Sequence, residues 1–297
     1  MPELPDITVY LDCLAPRVLD EPLERIEVRK PFVLRTVDPP LAECEGRRVV
    51  GLRRMGKRIV LALDGDRFLV IHLMIAGRLR WRDVGGKAKV PASLVLVEFA
   101  FPRGTLVLTE AGSKRRASLH AVRGAAGLVA FERGGLEVLD ASLAAFGERL
   151  RSENHTLKRA LTDPRLFSGI GNAFSDEILH RARLSPLTLT SRLPDDDVAR
   201  LHDATCTTLR EWTTRLRDDV GAGFPEKVTA FRDGFAVHGR FRQPCPDCGT
   251  PVQRIRYGDN ETNYCARCQT GGRLLADRAL SRLVKQDWPR RIEDLEG

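Results

Sequence analysis

The chain has 297 residues, 42% of them hydrophobic and 30% charged. That length fits about two domains able to bury cores of their own, and the composition excludes a disordered, collagen-like or coiled-coil chain. Lys and Arg number 48 against 40 Asp and Glu, a formal charge of +8 that favours a polyanionic partner and leaves a merely solvated basic surface as the plain alternative.

The start, Met1 to Asp6, lacks the basic and apolar regions of a secretory signal, and no apolar run approaches the roughly 20 residues of a membrane helix. The expectation is an intracellular chain with reduced thiols and no membrane partner. Ile7, Tyr10, Leu11 and Leu14 recur at helical spacing, which predicts a helix over Ile7 to Pro16. Strands follow: Arg58 to Leu63 and Phe68 to Leu73 flank Asp64-Gly65-Asp66, and Leu94 to Phe99 and Leu106 to Leu108 flank Pro102-Arg103-Gly104. Short apolar runs separated by turn residues predict hairpins in a β-sandwich or barrel-like domain.

The pattern turns helical after Gly147. Ser152 is placed to cap a helix through Leu157 and Leu161, stopped by Asp163-Pro164, and Asn172 to cap a second through Ile178 and Leu179. A third runs from Asp195 to Arg217 with Val198, Leu201, Leu209, Trp212 and Leu216 on its apolar side. Leu274, Leu275, Leu280, Leu283 and Val284 have the spacing of a last amphipathic helix. The boundaries read from these shifts are residues 1–147, 148–239, 240–273 and 274–297.

Cys245-x2-Cys248 and Cys265-x2-Cys268 are 16 residues apart. Two such knuckles aim four thiolates at one tetrahedral Zn²⁺ across a β-hairpin, and four thiolates leave no open position for catalysis. A redox pair is the alternative, but no thioredoxin-like pattern surrounds these residues. Cys13, Cys44 and Cys206 read as small core residues. The turn Leu166 to Asn172, with Gly169 and Gly171 before a helix, is either a phosphate cradle or a simple interhelical connection. Basic clusters at Arg53, Arg54, Lys57 and Arg58 and at Lys114, Arg115 and Arg116 bind phosphate only if they share a face; otherwise they are solvated. Removal of Met1 would turn Pro2 into a secondary amine that is partly unprotonated near neutral pH. Such an amine can attack an electrophilic sugar carbon and form an iminium, with Glu3 beside it for proton transfer.

In chain order, "MPELPDI", "MGKRIVLAL", "HLMIAGRLR", "LFSGIGNAFSDEIL" and the cysteine ribbon resemble the formamidopyrimidine-DNA glycosylase / endonuclease VIII family of base-excision-repair enzymes, from residue 2 to about 270. The resemblance implies an α+β multidomain fold: an N-terminal catalytic β-sandwich flanked by helices, a helix–two-turns–helix DNA-binding domain and a zinc-ribbon hairpin; the C-terminal helical extension over 274–297 goes beyond the family pattern. The resemblance also implies Pro2 as the nucleophile at C1′, Glu3 as the proton donor, Lys57 as a catalytic-site lysine on phosphate, and Asn172 on backbone phosphate. Met74, Ile75 and Arg115 would enter the gap left by a flipped base. The implied partner is double-stranded DNA with a damaged base or abasic site, bound by a monomer in a bacterial-type cytoplasm at the nucleoid, with one structural Zn²⁺.

The sequence departs from the family at several points. Ile75 stands where a methionine is common, Ala117 where a wedge phenylalanine is, Asn260 where an arginine often is, and Asp6 where glutamate is common. The stretch Gly221 to Arg240 is short for a loop capping 8-oxoguanine. The expected activity is therefore glycosylase and abasic-site lyase chemistry, by β- or β,δ-elimination, favouring oxidised pyrimidines or abasic sites. A non-catalytic damaged-DNA-binding protein is the alternative, and an RNA-binding zinc-ribbon protein a third that leaves the N-terminal motif unexplained.

Overall fold

The computed structural model of the chain describes residues 1–86, 90–112, 114–257, 260–276 and 290–295. They form two compact units: Met1–Arg133 with Trp212–Thr229, and Gly134–Glu211 with Ala230–Gly297. The shift of pattern read at Gly147 falls inside a helix of the second unit, Leu143–Arg151.

The first unit opens with helix α1 (Leu4–Val18), longer at both ends than its apolar spacing predicts. Its Ile7, Tyr10, Leu14 and Val18 enter one core with the strands that follow. These are β1 (Arg25–Val28), β2 (Val49–Met55), β3 (Arg58–Leu63), β4 (Arg67–His72), β5 (Gly77–Asp83), β6 (Val95–Phe101), β7 (Gly104–Glu110) and β8 (Ser118–Arg123). They make two four-stranded sheets, β1-β6-β7-β5 and β2-β3-β4-β8, whose paired strands are antiparallel. Alternation decides the layers. Ile59, Leu61 and Leu63 of β3 join Phe99, Leu106 and Leu108 in the sandwich core. Val60 points the other way, to Val70, Val122 and Leu128 under the short turn Ala125–Phe131.

Both predicted hairpins form. Leu63 pairs with Arg67 around Asp64-Gly65-Asp66, and Phe101 pairs with Gly104 around Pro102-Arg103. A third, between β2 and β3, pairs Met55 with Arg58 and leaves Gly56 and Lys57 as a two-residue turn. Gly56, at φ +61, supplies the positive φ that a tight hairpin turn needs at its first position.

The second unit holds α2 (Leu143–Arg151), α3 (Leu157–Thr162), α4 (Asn172–Arg181), the hairpin β9 (Gln253–Tyr257) and β10 (Asn260–Tyr264), and α6 (Ala266–Thr270). Helix α5 (Asp195–Val220) contributes Asp195–Glu211 to this unit and its last turns to the first, where Leu216 and Val220 meet Val9 and Cys13. Two caps differ from those the sequence predicts. Ser152 follows the end of α2; Thr156 caps α3, its side chain accepting the N–H of Arg159. Gly171 precedes α4, whose first helical residue is Asn172. A capping residue must be extended with its oxygen free to turn inward, and the Ser152 hydroxyl instead donates to Arg149 O.

Of the last predicted helix, Leu280, Leu283 and Val284 lie outside the described residues. Leu274 and Leu275 are buried beside Ile255, Tyr264 and Ile292. Residues 290–295 return to this cluster through Leu274 N–H to Arg290 O and Ile292 N–H to Gly272 O, both 2.8 Å. No helix among the described residues is long and apolar enough to cross a membrane.

The capping geometry has a measurable consequence. Thr156→Ala should cost about 1 kcal/mol in urea unfolding, the usual loss of an N-cap, whereas Ser152→Ala should stay within about 0.5 kcal/mol as an exposed change. The reverse order would return the cap to Ser152.

Candidate active site and zinc centre

The chain start is fixed by the helix it enters. Pro2 is buried, and Glu3, only 3% exposed, is the residue before the first turn of α1. Asp6 Oδ2 accepts the Glu3 N–H at 2.8 Å, half of a reciprocal capping box between the two carboxylates. Asp6, a departure in the sequence, can fill this role because its shorter carboxylate still spans the turn.

As the chain stands, the terminal amine is that of Met1. Burial strips its hydration and pushes its pKa below the ordinary α-amino value. Glu3 and Asp6 pull the pKa back up, while Arg78 and Lys57 lower it, so four charged groups act on one amine.

Lys57 extends from the tip of the β2–β3 hairpin. Behind it, His72 on β4 pairs with Arg58 across the sheet. Burial lowers the His72 pKa to about 4, with Arg58, Lys57, His120 and Arg133 adding to the effect. A neutral imidazole among cations marks a patch already rich in positive charge. Sequence reasoning missed His72 because Arg58, Lys57, Arg133 and His120 are brought near it only by folding.

Met74 and Ile75 sit in the tight turn from β4 to β5. Met74 has φ +52 and Ile75 is 62% exposed. Gly77 N–H donates to Leu73 O at 2.9 Å, and any Cβ at Gly77 would meet that oxygen at 2.2 Å, so the turn requires glycine there. Arg78 braces it by donating to Ile75 O and to Val228 O. Arg115 lies with its guanidinium 5.7 Å from the Phe32 ring, beside a loop that Glu110 holds by accepting the N–H groups of Arg116 and Ala117. Ala117 is fully buried, so that position contributes to the core and not to an exposed wedge.

Asn172 belongs to the second unit. Its side-chain amide donates to Glu261 O at 2.9 Å, and its backbone carbonyl accepts from Lys158 Nζ at 2.7 Å. The turn before it is buried from Leu166 through Gly171, with Gly169 at φ +81. Sequence reasoning passed over Lys158, Asp176, Glu177 and His238. Asp176-Glu177 is visible in the quoted motif, but the partners that give it meaning lie 62 residues away at His238 and 87 away at Asn263.

Cys245, Cys248, Cys265 and Cys268 converge with all four Sγ atoms within 4.8 Å of one another. Cys248–Cys265 and Cys245–Cys268 are 3.4 and 3.9 Å apart. A tetrahedral zinc with Zn–S bonds near 2.3 Å needs sulfurs about 3.8 Å apart, so the cage fits one structural Zn²⁺. The Cys268 N–H donates to Cys265 Sγ, and His180 Nε2 lies 3.3 Å from Cys245 Sγ, the second layer of polar contacts that orients such ligands.

Three family matches cover most of the chain: the formamidopyrimidine-DNA glycosylase N-terminal domain over residues 1–117, the H2TH domain of the same enzymes over 136–217, and the zinc finger found in Fpg and IleRS over 242–271. The chain belongs to the formamidopyrimidine-DNA glycosylase (Fpg) family. It is 33% identical to the formamidopyrimidine-DNA glycosylase of Heliobacterium modesticaldum, with 91% of this chain and all of that protein aligned. It is also 38% identical over 151 residues to an uncharacterized formamidopyrimidine-DNA glycosylase-like protein of Mycobacterium tuberculosis, which covers 51% of this chain and 94% of that protein. Among solved structures, the Fpg protein from Thermus thermophilus superposes with a TM-score of 0.74 at 31% identity, covering 90% of this chain and 98% of that one. The Lactococcus lactis Fpg in complex with abasic-site DNA shares the fold at TM-score 0.77 and 23% identity, covering 90% and 99%. The family assignment makes the fold Fpg-like and is consistent with base excision repair of damaged DNA.

Two measurements follow. The unfolded His72 binds a proton near pH 6.5 and the folded one near pH 4, so its contribution to stability is complete above about pH 6.5 and lost as pH falls toward 4. Urea unfolding of wild type against His72→Gln should show about 2–3 kcal/mol more acid destabilisation in wild type across that window. A chelator strong enough to strip the cage should release one zinc per chain to a metallochromic dye, and the hairpin should lose amide-exchange protection with it. Retention of full protection without metal would argue against a structural role.

Proposed function

We propose that this Fpg-family chain is a bifunctional DNA glycosylase and abasic-site lyase acting on double-stranded DNA that carries a damaged base or an abasic site. The observation that carries the reading is the chain start: a buried Pro2, a buried Glu3 fixed in a capping box, and an amine position depressed by burial beside Lys57 and Arg78. With Met1 removed, the unprotonated Pro2 nitrogen attacks C1′ and the C1′–base bond breaks, the base leaving with the bond electrons and taking up the proton that the Pro2 nitrogen gives up. Glu3 gives its proton to the sugar ring oxygen as the C1′–O bond opens to the iminium. The iminium then accepts the electron pair released when a C2′ proton is taken, and the C3′–O bond breaks, nicking the strand. A second elimination at C5′ completes the β,δ course. Lys57 and Asn172 hold backbone phosphates in this reading.

The preference falls on oxidised pyrimidines or pre-existing abasic sites over 8-oxoguanine. Ile75 supplies an exposed branched side chain in place of a flexible one, Ala117 is withdrawn into the core, and residues 221–240 contain no helix or strand. Met74, Ile75 and Arg115 remain the residues proposed to fill the gap left by the extrahelical base. The protein works as a monomer on bacterial chromosomal DNA in the cytoplasm.

Borohydride reduction on a duplex with one abasic site tests the chemistry, with intact mass checking loss of Met1. Wild type should give a covalent adduct mapped to Pro2, and Pro2→Gly should trap far less. Glu3→Gln should lower base release by roughly 10²-fold or more, the usual share of a general acid. Correctly processed protein that binds the duplex tightly and yields no adduct would instead be a non-catalytic damage sensor.

A further inference from the structure

The second unit carries a fully buried carboxylate that the proposed chemistry does not use. Asp176, on the second turn of α4, is 0% exposed. Its Oδ1 accepts Lys158 Nζ at 2.5 Å, and its Oδ2 accepts His238 Nδ1 at 2.7 Å and the Asn263 backbone N–H at 3.1 Å. The three donors come from three separate segments: α3, the irregular stretch after Ala230, and β10 of the zinc hairpin. A buried charge persists only where its lone pairs are matched by such donors, and removing one donor leaves the rest of the charge uncompensated.

Two of the donors lead back to Asn172. Lys158 Nζ, held by Asp176, also donates to Asn172 O at 2.7 Å. The Asn172 amide donates to Glu261 O, two residues from the Asn263 N–H that Asp176 accepts. Asn263 Nδ2 in turn reaches Glu261 Oε1 at 3.2 Å. The bonds therefore close a ring through Asp176, Lys158, Asn172, Glu261 and Asn263. An amide nitrogen carries two hydrogens, and the bond to Glu261 fixes the plane in which the second one points.

We infer that Asp176, with His238 as its buried partner, is a positioning residue for Asn172: it sets the orientation of the Asn172 amide by locking α3, the zinc hairpin and the 230–240 stretch onto α4. The inference rests on the reading of Asn172 as a phosphate ligand. His238 neighbours support its placement, since Glu177 on the same helix accepts the backbone N–H groups of Ala236, Val237 and His238 at 2.6, 2.9 and 2.9 Å. The Phe235 and Phe231 rings lie against the imidazole at 6.0 and 6.1 Å. His238 is thus held through its backbone, by the stacked Phe231 ring and by the perpendicular Phe235 ring, and the bond to Asp176 fixes the imidazole orientation.

The experiment measures the dissociation constant of the zinc-loaded full chain for a duplex containing a tetrahydrofuran abasic-site analogue. The variants are Asn172→Ala, Asp176→Asn and their double, each checked for a wild-type melting transition. Asp176→Asn should weaken binding about tenfold, as loss of a charge-assisted bond does, and the double variant should bind no more weakly than Asn172→Ala alone. His238→Ala and His238→Asn keep the test decisive if Asp176→Asn does not fold. The asparagine places an amide N–H where Nδ1 stood and should restore most of the binding that alanine loses, which a purely packing role for the ring would not allow. Independent, multiplying losses in the double variant, or equal losses for His238→Ala and His238→Asn, would overturn the inference while leaving the phosphate reading intact. An unchanged dissociation constant for Asn172→Ala would sink the phosphate reading itself, and the inference with it.

Discussion

Buried charge that must be matched organises the second unit. Residues 230–273 have few aliphatic side chains with which to build a core, so α4 holds them by other means. Glu177 gathers the backbone N–H groups of 236–238, and burial raises its carboxyl pKa against the lowering effect of those three bonds. Asp176 gathers Lys158, His238 and the zinc hairpin. Four thiolates around one metal close the far end of the same segment. Small hydrophobic clusters then suffice: Val237 and Val252 beside the cysteines, and Ile255, Tyr264 and Ile292 behind the hairpin. Such networks are costly when half-satisfied and specific when complete, which explains why so polar a segment holds one shape.

The first unit solves a different problem with ordinary means. Two sheets and α1 share one apolar core, and the chain start is carried on the helix that this core grips. The proposed proton donor and a hydrophobic anchor are therefore adjacent in the chain: Glu3 caps the helix and Leu4 is 2% exposed. A chemistry that requires a terminal amine to be desolvated and fixed gains both properties from packing that the fold needs in any case.

How much was legible depended on how local the physics was. The hairpins at Asp64 to Asp66 and at Pro102 to Arg103 were readable because turn residues and alternating strands are neighbours in sequence. The zinc cage was readable because metal chemistry fixes both ligand type and spacing, and the family resemblance because several short motifs stood in order. Caps were misread by one position at Asn172 and by four at Ser152, since several residues near a helix start can cap and only the backbone conformation chooses among them. Ala117 stands where a wedge phenylalanine is common, and only the structure shows that this position lies in the core. Nothing in the alternation near the loop marks the point at which the chain re-enters the sheet.

The two hairpins, the metal ligands, the family and the identity of the residues at the chain start could all be read from the sequence alone, because each depends on periodicity, spacing or order along the chain. What surrounds those residues was decided by folding. Tertiary structure depressed the amine through burial, drew four cationic or titratable neighbours around His72, and matched Asp176 with partners 18, 62 and 87 residues away. Burial and pairing are properties of the folded volume, and in a single sequence a matched buried charge looks the same as a solvated one.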